Sequence, residues 1–246
     1  TYQGTNPRMR SRIDNIKERV GKKTNKLIGF SQVKLVDSDD NNNRLVRLQE
    51  TNLCDFVADA MRVVTKADIG IANAGGIRSS LPAGQLTYGD LMQVQPFNNS
   101  IYQIRLTGKQ MVNALEIGAR VWPKESGDLL HTSGLRYTIN AAIPTSVHLD
   151  ENGMCDSIGV TRRVSGVEVE KDGVWMPIDT NAVYTVGGQN YMLIYGGGSG
   201  MFNGTEEVPT EHMLDVDALV KYIQILGDTI RANQYGTTQQ RLNINN

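Results

Sequence analysis

A short segment around two adjacent glycines carries side chains suited to an oxygen-rich ligand. It reads ANAGGIR over residues 72–78 and follows a short apolar run. The pair Gly75 and Gly76 lets the backbone approach a ligand closely and adopt left-handed angles. Asn73 offers an amide, and Arg78 offers a planar guanidinium that suits phosphate or carboxylate. The same pattern is also consistent with an ordinary strand-to-loop turn that ends in a surface arginine.

A second segment is rich in glycine and lies beside aromatic residues. It reads YGGGSGM over residues 195–201, with four glycines in the five positions 196–200. Such a run disfavours the interior of a helix or strand. It lacks the Lys-Ser/Thr ending of a phosphate-binding P-loop, and Met201 prevents a G-x-S-x-G nucleophile motif. Tyr191, shortly before the loop, is either a ring that stacks on a nucleobase or an ordinary core tyrosine.

Side chains that could hydrolyse a substrate are sparse in the sequence. A dimetal phosphohydrolase needs clustered aspartate, histidine and asparagine ligands. The three histidines, His131, His148 and His212, lack a second histidine at ligand spacing, so we expect them to be surface or packing residues. No serine lies in the context of a nucleophile elbow, which disfavours a Ser-His-Asp triad. The sequence therefore predicts a protein that binds a ligand and does not cleave it.

The overall composition is that of an ordinary globular protein. Of 246 residues, 39% are hydrophobic and 21% are charged, and 25 basic residues balance 26 acidic ones. This balance argues against a general nucleic-acid or membrane-surface binder, which needs a basic excess. No apolar run reaches about 18 residues, so no transmembrane segment is predicted. Cys54 and Cys155 form neither a metal-binding pattern nor a disulfide framework.

Hydrophobic periodicity predicts interspersed helices and strands, and hence an α+β fold. The predicted helices lie at 6–20, 51–64, 86–92, 109–121 and 216–226, the last capped by Asp215. The predicted strands lie at 27–36, 69–72, 101–106, 135–139, 159–163, 167–169 and 183–186. The first helix opens with Asn6 and Pro7 and carries many basic residues, so it is either a solvated helix or one that docks a preceding domain.

Because the chain opens with Thr1 and no start methionine, we expect a processed or truncated product.

Five segments occur in an order and spacing that a known family shares. They read RLQETNLCDFVADA at 47–60, NAGGIR at 73–78, PFNN at 96–99, SGLRY at 133–137 and NYM at 190–192. Together they resemble the C-terminal domain of the 5′-nucleotidase and UDP-sugar hydrolase family, over most of residues 44–225. The resemblance implies layered mixed β-sheets flanked by helices. It also implies a linker or docking helix at 1–26, followed by a nucleotide-binding domain of this type at 27–246.

The resemblance further implies a set of substrate-binding residues. Its members are Arg47, Asn73, Gly75, Gly76, Arg78, Phe97, Asn99, Gly134, Tyr191 and Ser199. By their family positions, Arg47 and Arg78 hold phosphate or carboxylate-type oxygens, which agrees with guanidinium chemistry. Asn73 matches a contact to ribose or phosphate, and Asn99 matches a contact to the edge of the base.

The aromatic clamp and the glycine loop carry the main departure from the family. Phe97 matches one face of the clamp around the base, and Tyr191 is the candidate for the other. Where the family usually reads G-G-D-G, with the Asp accepting hydrogen bonds from ribose hydroxyls, this sequence has Gly198 or Ser199. A serine hydroxyl is a weaker acceptor than a carboxylate, so we expect ribose recognition to be weakened or altered. Cys54 replaces a usual glycine and is expected to pack within its helix.

The family likeness implies a division of labour between two domains. A metallophosphoesterase domain with two divalent metals, zinc or manganese, hydrolyses the phosphate ester, while the C-terminal domain grips the nucleotide. The D-x-H and G-N-H-(D/E) signatures of the catalytic domain are missing from this sequence. We therefore expect no cofactor in this chain, a metallophosphoesterase partner domain or protein, and a periplasmic, extracellular or surface-anchored location. The alternatives are a stand-alone nucleotide or nucleoside binder, or a component of a nucleotide-sugar or cyclic-nucleotide phosphoesterase.

Overall fold

Helices and strands are interspersed throughout residues 6–245, the part of the chain that the computed structural model describes. Its α-helices are α1 (Pro7–Thr24), α2 (Asn52–Thr65), α3 (Tyr88–Val94), α4 (Gly108–Ala119), α5 (Asn190–Leu193), α6 (Asp215–Ile225) and α7 (Ala232–Tyr235). Its β-strands are β1 (Leu27–Ser31), β2 (Ile69–Asn73), β3 (Gly84–Thr87), β4 (Ile101–Thr107), β5 (Leu130–Ser133), β6 (Leu135–Asn140), β7 (Val147–Leu149), β8 (Cys155–Ile158), β9 (Val164–Lys171), β10 (Val174–Pro177), β11 (Val183–Gln189), β12 (Glu206–Val208), β13 (Thr229–Ile230) and β14 (Leu242–Asn245). The predicted α+β class is confirmed.

The described strands form four sheets, of which a five-stranded one is the largest. Its strand order is β12-β4-β11-β2-β5. Strand β11 runs parallel to β2 and antiparallel to β4, while β2 is antiparallel to β5. The other sheets are β10-β9-β6-β14, β13-β1-β3 and the pair β7-β8. This arrangement of mixed sheets flanked by helices is the architecture that the family likeness implied.

Helix α2 packs between the five-stranded sheet and helix α6, so it is apolar on more than one face. Thr51 caps it, because its Oγ1 accepts a hydrogen bond from the Cys54 amide at 3.3 Å. The Phe56 ring centroid lies 5.6 Å from those of both Tyr222 and Tyr235. Cys54 is fully buried within this packing. The residue that departs from the family motif therefore fills the helix interface, as expected.

Several elements differ from the sequence prediction. Residues 86 and 87, predicted to begin a helix, end strand β3, and α3 begins at Tyr88. Residues 159–163 form a loop between β8 and β9 instead of a strand. Arg163 in this loop is buried, and its guanidinium donates to the Trp122 carbonyl at 2.8 Å, so it anchors the loop where a strand would use backbone pairing. Asp215 is the first residue of α6 and not its cap, because Leu214 occupies the cap position.

Helix α1 begins where the sequence predicts. The Asn6 side chain accepts a hydrogen bond from the Arg8 amide at 3.0 Å, and Pro7 is the first helical residue. No residue of α1 is buried, and the element that it contacts most is α3. None of the described helices combines the length and apolar character needed to cross a membrane.

Candidate functional site

One edge of the five-stranded sheet collects the ends of four neighbouring strands. Strands β2 and β11 are parallel neighbours, so both finish at this edge, with Asn73 and Gln189 as their last residues. Strands β4 and β5 run antiparallel to them, so both begin here, after the segments that hold Phe97 and Asp128. Loops beyond the carboxyl ends of parallel strands are common ligand sites. The topology thus gathers four segments that are far apart in sequence.

A pocket of about 440 Å³ opens at this edge, a volume typical of small-molecule sites. It is lined by Arg47, Asn73, Gly75, Gly76, Phe97, Asn99, Gly127, Asp128, Gln189 and Tyr191. Seven of the ten residues selected from the sequence share this cavity: Arg47, Asn73, Gly75, Gly76, Phe97, Asn99 and Tyr191. Residues chosen by type and family position therefore meet at one place in the fold.

Arg78, Gly134 and Ser199 do not line the pocket. Arg78 is exposed beside it, with its guanidinium carbon 5.8 Å from the centroid of the Phe97 ring. Gly134 follows β5 and therefore lies at the opposite edge of the sheet, where a left-handed φ of 72° turns the chain into β6. Ser199 is fully buried, and its hydroxyl donates a hydrogen bond to the Asp128 carboxylate at 2.9 Å. Gly134 therefore forms the turn between β5 and β6, away from the cavity.

Hydrogen bonds tie the end of β2 to the turn before β5 and fix the floor of the pocket. The Gly75 amide donates to the Gly127 carbonyl at 2.8 Å, and Nδ2 of Asn73 donates to the same carbonyl at 3.0 Å. The Ser126 amide donates to the Arg47 carbonyl at 3.1 Å. A Cβ on Gly75 would lie 3.1 Å from the Gly127 oxygen, so this close approach favours glycine. The first glycine of the pair thus serves backbone packing.

Two amide side chains form a polar wall beside Gly76. Nε2 of Gln189 donates to Oδ2 of the buried Asp215 at 2.7 Å. A Cβ on Gly76 would lie 2.9 Å from Oε1 of Gln189 and 3.0 Å from Oδ1 of Asn73, so the glycine leaves room for both oxygens. Oδ1 of Asn73 is buried and accepts no hydrogen bond from the described residues. A donor on a ligand that reached this oxygen would satisfy a buried acceptor.

Two aromatic rings border the pocket and remain open to solvent. Phe97 is 56% exposed and Tyr191 is 44% exposed. Asn98 has a left-handed φ of 54°, which asparagine tolerates, and the turn at this residue holds Phe97 at the surface. Ring faces at the mouth of a cavity are suited to stacking on a flat heterocycle.

Arginine side chains make one side of the pocket positively charged. Arg47 lines the cavity, and its ion pair with Glu125 is long, at 3.9 Å. Arg44 lies nearby and donates to the Ile77 carbonyl. Burial lowers the pKa of Arg44; Asp37 opposes this, and the guanidinium groups of Arg47 and Arg78 lower it further. Arg44 therefore lies within electrostatic reach of the guanidinium groups of both Arg47 and Arg78, a concentration of positive charge that favours an anion.

Three residues of the lining lie outside the set predicted from the sequence: Gly127, Asp128 and Gln189. Gln189 directly precedes the NYM segment, so its position next to that motif was a usable signal. Gly127 and Asp128 belong to a short Ser-Gly-Asp turn before the SGLRY strand. Neither periodicity nor spacing connects this turn with the ANAGGIR segment, because only the pairing of β2 with β5 brings them together.

The fold and the pocket define an α+β domain that presents an aromatic- and arginine-lined cavity at the edge of a mixed sheet. A family model described as the C-terminal domain of 5′-nucleotidase matches residues 27–204. The match covers more than half of the chain, and the chain belongs to this family. The resemblance inferred from the five sequence segments is confirmed.

Relatives and solved structures agree with this assignment. The trifunctional nucleotide phosphoesterase protein YfkN of Bacillus subtilis is 28% identical over 240 residues, which cover 96% of this chain and 15% of that protein. The 5′-nucleotidase of Vibrio vulnificus is 34% identical over 110 residues, which cover 44% of this chain and 20% of the relative. The structure of the 5′-nucleotidase precursor from Thermus thermophilus matches with a TM-score of 0.79 and 27% identity, covering 96% of this chain and 43% of that chain. The matched region is thus less than half of each of these proteins.

Proposed function

We propose that this chain binds the base, ribose and phosphate of a nucleotide, whose phosphate ester a separate dimetal metallophosphoesterase domain hydrolyses. The observation that carries the proposal is the pocket, in which Phe97 and Tyr191 expose ring faces to the cavity that Arg47 also lines. A flat heterocycle with an anionic group is the ligand that suits this combination. The names of the relatives, a nucleotide phosphoesterase and a 5′-nucleotidase, support the same substrate class.

The base and the phosphate of a nucleotide each have chemically matching groups in or beside the pocket. The base stacks on the rings of Phe97 and Tyr191, and Asn99 offers an amide to its edge. The phosphate pairs with Arg47, and Arg78 supplies a second guanidinium from the rim. One cavity thus offers stacking surfaces for a base and guanidinium groups for a phosphate.

Hydrolysis belongs to another domain in this proposal. Within residues 6–245, no group of three or more His, Cys, Asp or Glu side chains is placed to hold a metal ion. The relatives extend well beyond the matched region, which leaves room for a metallophosphoesterase domain with two zinc or manganese ions. Residues 1–26 act as the linker or docking segment, and residues 27–246 act as the nucleotide-binding domain. The protein acts in the periplasm or outside the cell.

Calorimetric titration with adenosine and AMP tests the binding proposal on the whole chain. Phe97→Ala should weaken both ligands by about tenfold or more, because base stacking is lost in each case. Arg47→Ala should weaken AMP by about tenfold and leave adenosine within about twofold, because only AMP carries the phosphate that the guanidinium binds.

Matched controls come from exposed residues outside the pocket. Phe30→Ala removes a ring that is 44% exposed on β1, and Arg105→Ala removes an arginine that pairs with Glu206 on the surface. Neither should change affinity for either ligand. Wild-type protein that binds neither ligand, or a Phe97 variant no weaker than the Phe30 variant, would rule out the proposal. Phosphate release from AMP by this chain alone, with manganese present, would contradict the placement of catalysis in another domain.

A further inference from the structure

The carboxylate of Asp128 is an acidic group in the lining of the pocket. Its Oδ2 accepts two hydrogen bonds, from Nη2 of Arg120 at 2.7 Å and from Oγ of Ser199 at 2.9 Å. The side chains of Asp128 and Arg120 are only 17% and 16% exposed. The Asp128 amide donates to Oγ of Ser126 at 3.1 Å, which ties the backbone to the same turn. The carboxylate is thus held in a fixed orientation.

The other carboxylate oxygen of Asp128 is left for a ligand. Oδ1 accepts no hydrogen bond from residues 6–245 and is not among their buried unpaired atoms, so it is accessible to solvent, and Asp128 lines the cavity. An ionised carboxylate can only accept hydrogen bonds, so its ligand must offer donors such as hydroxyl groups. The Asp128 carboxylate repels an anion. The phosphate of a ligand should therefore bind at the side of the pocket that Arg47 lines.

We propose that Asp128 is a specificity-determining residue that accepts hydrogen bonds from the sugar hydroxyl groups of the ligand. The inference rests on the proposed nucleotide-binding function. The turn that holds Asp128 is bonded to the arginine segment, since the Ser126 amide donates to the Arg47 carbonyl at 3.1 Å. The acceptor and the cation are therefore fixed relative to each other in one cavity. A ligand with an anionic end and neighbouring hydroxyl groups matches both, whereas a ligand without the hydroxyls leaves Asp128 unpaired.

Ser199 is a positioning residue in this proposal. It is fully buried, and its carbonyl accepts a hydrogen bond from the Cys155 amide at 3.0 Å, which holds the glycine loop in place. The sequence predicts weakened or altered ribose recognition, because Gly198 or Ser199 stands where the family has Asp. In the structure a carboxylate from a different segment, Asp128, lies against that serine. Sugar recognition is therefore retained, because the Asp128 carboxylate in the turn before β5 supplies the negatively charged acceptor.

The test compares adenosine with 2′,3′-dideoxyadenosine by calorimetry on the whole chain. Wild type should prefer adenosine by about tenfold or more, the value of one or two hydrogen bonds to a charged group. Asp128→Asn should weaken adenosine by about tenfold and leave the dideoxy ligand within about twofold. Ser199→Ala should weaken adenosine by roughly two- to fivefold and also leave the dideoxy ligand unchanged. Asp172→Asn, in the exposed turn between β9 and β10, is the matched control and should change neither affinity.

An exchange variant keeps the test decisive if Asp128→Asn does not fold. Asp128→Ser combined with Ser199→Asp moves the carboxylate to the glycine loop and preserves the pair, so preference for adenosine should return to at least half of its wild-type value on a logarithmic scale. If wild type binds adenosine but loses both ligands equally in Asp128→Asn, or neither, the inference is wrong and the proposed function stands. If wild type binds neither ligand, the proposed function fails and takes this inference with it.

Discussion

At the scale of single residues, His131 shows how burial sets the charge state of a side chain. The ring is 2% exposed in β5, and its Nε2 lies 2.7 Å from the Val46 carbonyl. Nδ1 is buried and has no hydrogen-bond partner among the described residues. Burial lowers the pKa of His131 from 6.5 to about 4, against the smaller effects of the Val46 bond and the Glu50 charge. The imidazole is therefore neutral near pH 7, with Nε2–H donating to Val46.

This histidine should make the folded state sensitive to acid. The unfolded chain takes up a proton near pH 6.5 and the folded chain does not, so its contribution to stability is lost as the pH falls from 6.5 toward 4. We expect a loss of about 2 kcal/mol between pH 6.5 and 4.5. His131→Gln keeps a donor for Val46 and removes the titration, so its unfolding free energy should fall less steeply. Urea denaturation at a series of pH values measures the difference.

The exposed His148 on β7 provides the control for this measurement. His148→Gln removes a histidine without touching the core, so it should retain the wild-type dependence of stability on pH. If His131→Gln and wild type lose stability in parallel between pH 6.5 and 4.5, His131 is not the group responsible.

Residues of the site could be predicted where they lie in a family motif. Arg47 and Phe97 belong to the RLQETNLCDFVADA and PFNN segments, and the chemistry of a guanidinium group and of an aromatic ring agrees with the roles that the resemblance implies. Gly134 was placed in the same set, but a glycine motif indicates backbone freedom and not which edge of a sheet the residue occupies. Asp128 was missed for the reverse reason, since its place in the pocket depends on strand register and not on a motif.

At the scale of elements, two glycines let α2 lie directly on the five-stranded sheet. Gly70 of β2 and Gly187 of β11 are paired in register. A Cβ on Gly70 would lie 2.3 Å from the Ala58 carbonyl oxygen, and one on Gly187 would lie 2.0 Å from Oγ1 of Thr65. At Gly70 the obstruction is backbone, which cannot move aside as a flexible side chain would. Because these two positions carry no side chain, α2 can approach the sheet closely there.

Gly70→Ala should destabilise the fold by about 1 to 3 kcal/mol, because α2 must move away from the sheet to admit the methyl group. Thermal unfolding followed by circular dichroism measures the change. Gly21→Ala is the matched control, since a Cβ there has only Nδ2 of Asn25, at 3.7 Å, nearby in α1. That change should be neutral, or stabilising by up to about 1 kcal/mol. A Gly70 variant as stable as wild type would show that this close packing carries no energetic weight.

Elements with a long hydrophobic pattern were predictable, and short ones were not. Helices α2 and α4 and strand β4 appear close to their predicted bounds because several turns or alternations repeat the same pattern. Strands β12, β13 and β14 have two to four residues each, too few for any period to be visible. Their existence depends on partners, as when β14 pairs with β6 from the far end of the chain. Tertiary pairing, and not local propensity, decides such elements.

At the scale of the whole molecule, the two ends of the described chain are attached very differently. Helix α1 contains no buried residue. The C-terminal segment is built into the core, since Nη2 of Arg241 lies 2.8 Å from the Asp59 carboxylate and the Leu242 amide donates to Glu50 at 2.8 Å. Loss of a terminal segment costs stability according to its burial and hydrogen bonding. Truncation of the N-terminal end should therefore cost little stability, whereas truncation of the C-terminal end should cost much.

A chain of residues 25–246 should keep its fold and its pocket. The Lys26 carbonyl, which accepts from the Tyr88 amide at 2.9 Å, is retained. The main loss is the contact of the Lys23 ammonium with the Tyr88 ring, 4.8 Å from its centroid, which contributes about 0.5 to 1 kcal/mol at an exposed site. We expect a melting temperature within about 4 °C of the full chain. Its affinity for adenosine should be unchanged, because α1 does not line the cavity.

A chain that ends at Tyr235 is the matching C-terminal truncation, and it should melt far lower or fail to fold. It loses strand β14 and Arg241, and with Arg241 the cation that pairs with the buried carboxylate of Asp59 and lies 3.8 Å from the Asp55 carboxyl group. An uncompensated buried carboxylate is strongly destabilising, by about 3 to 5 kcal/mol. Comparable losses from both truncations would show that α1 is an integral part of the domain, and the proposed division at residue 26 would be wrong. A loss confined to the C-terminal truncation would instead support a linker that can be removed without disturbing the site.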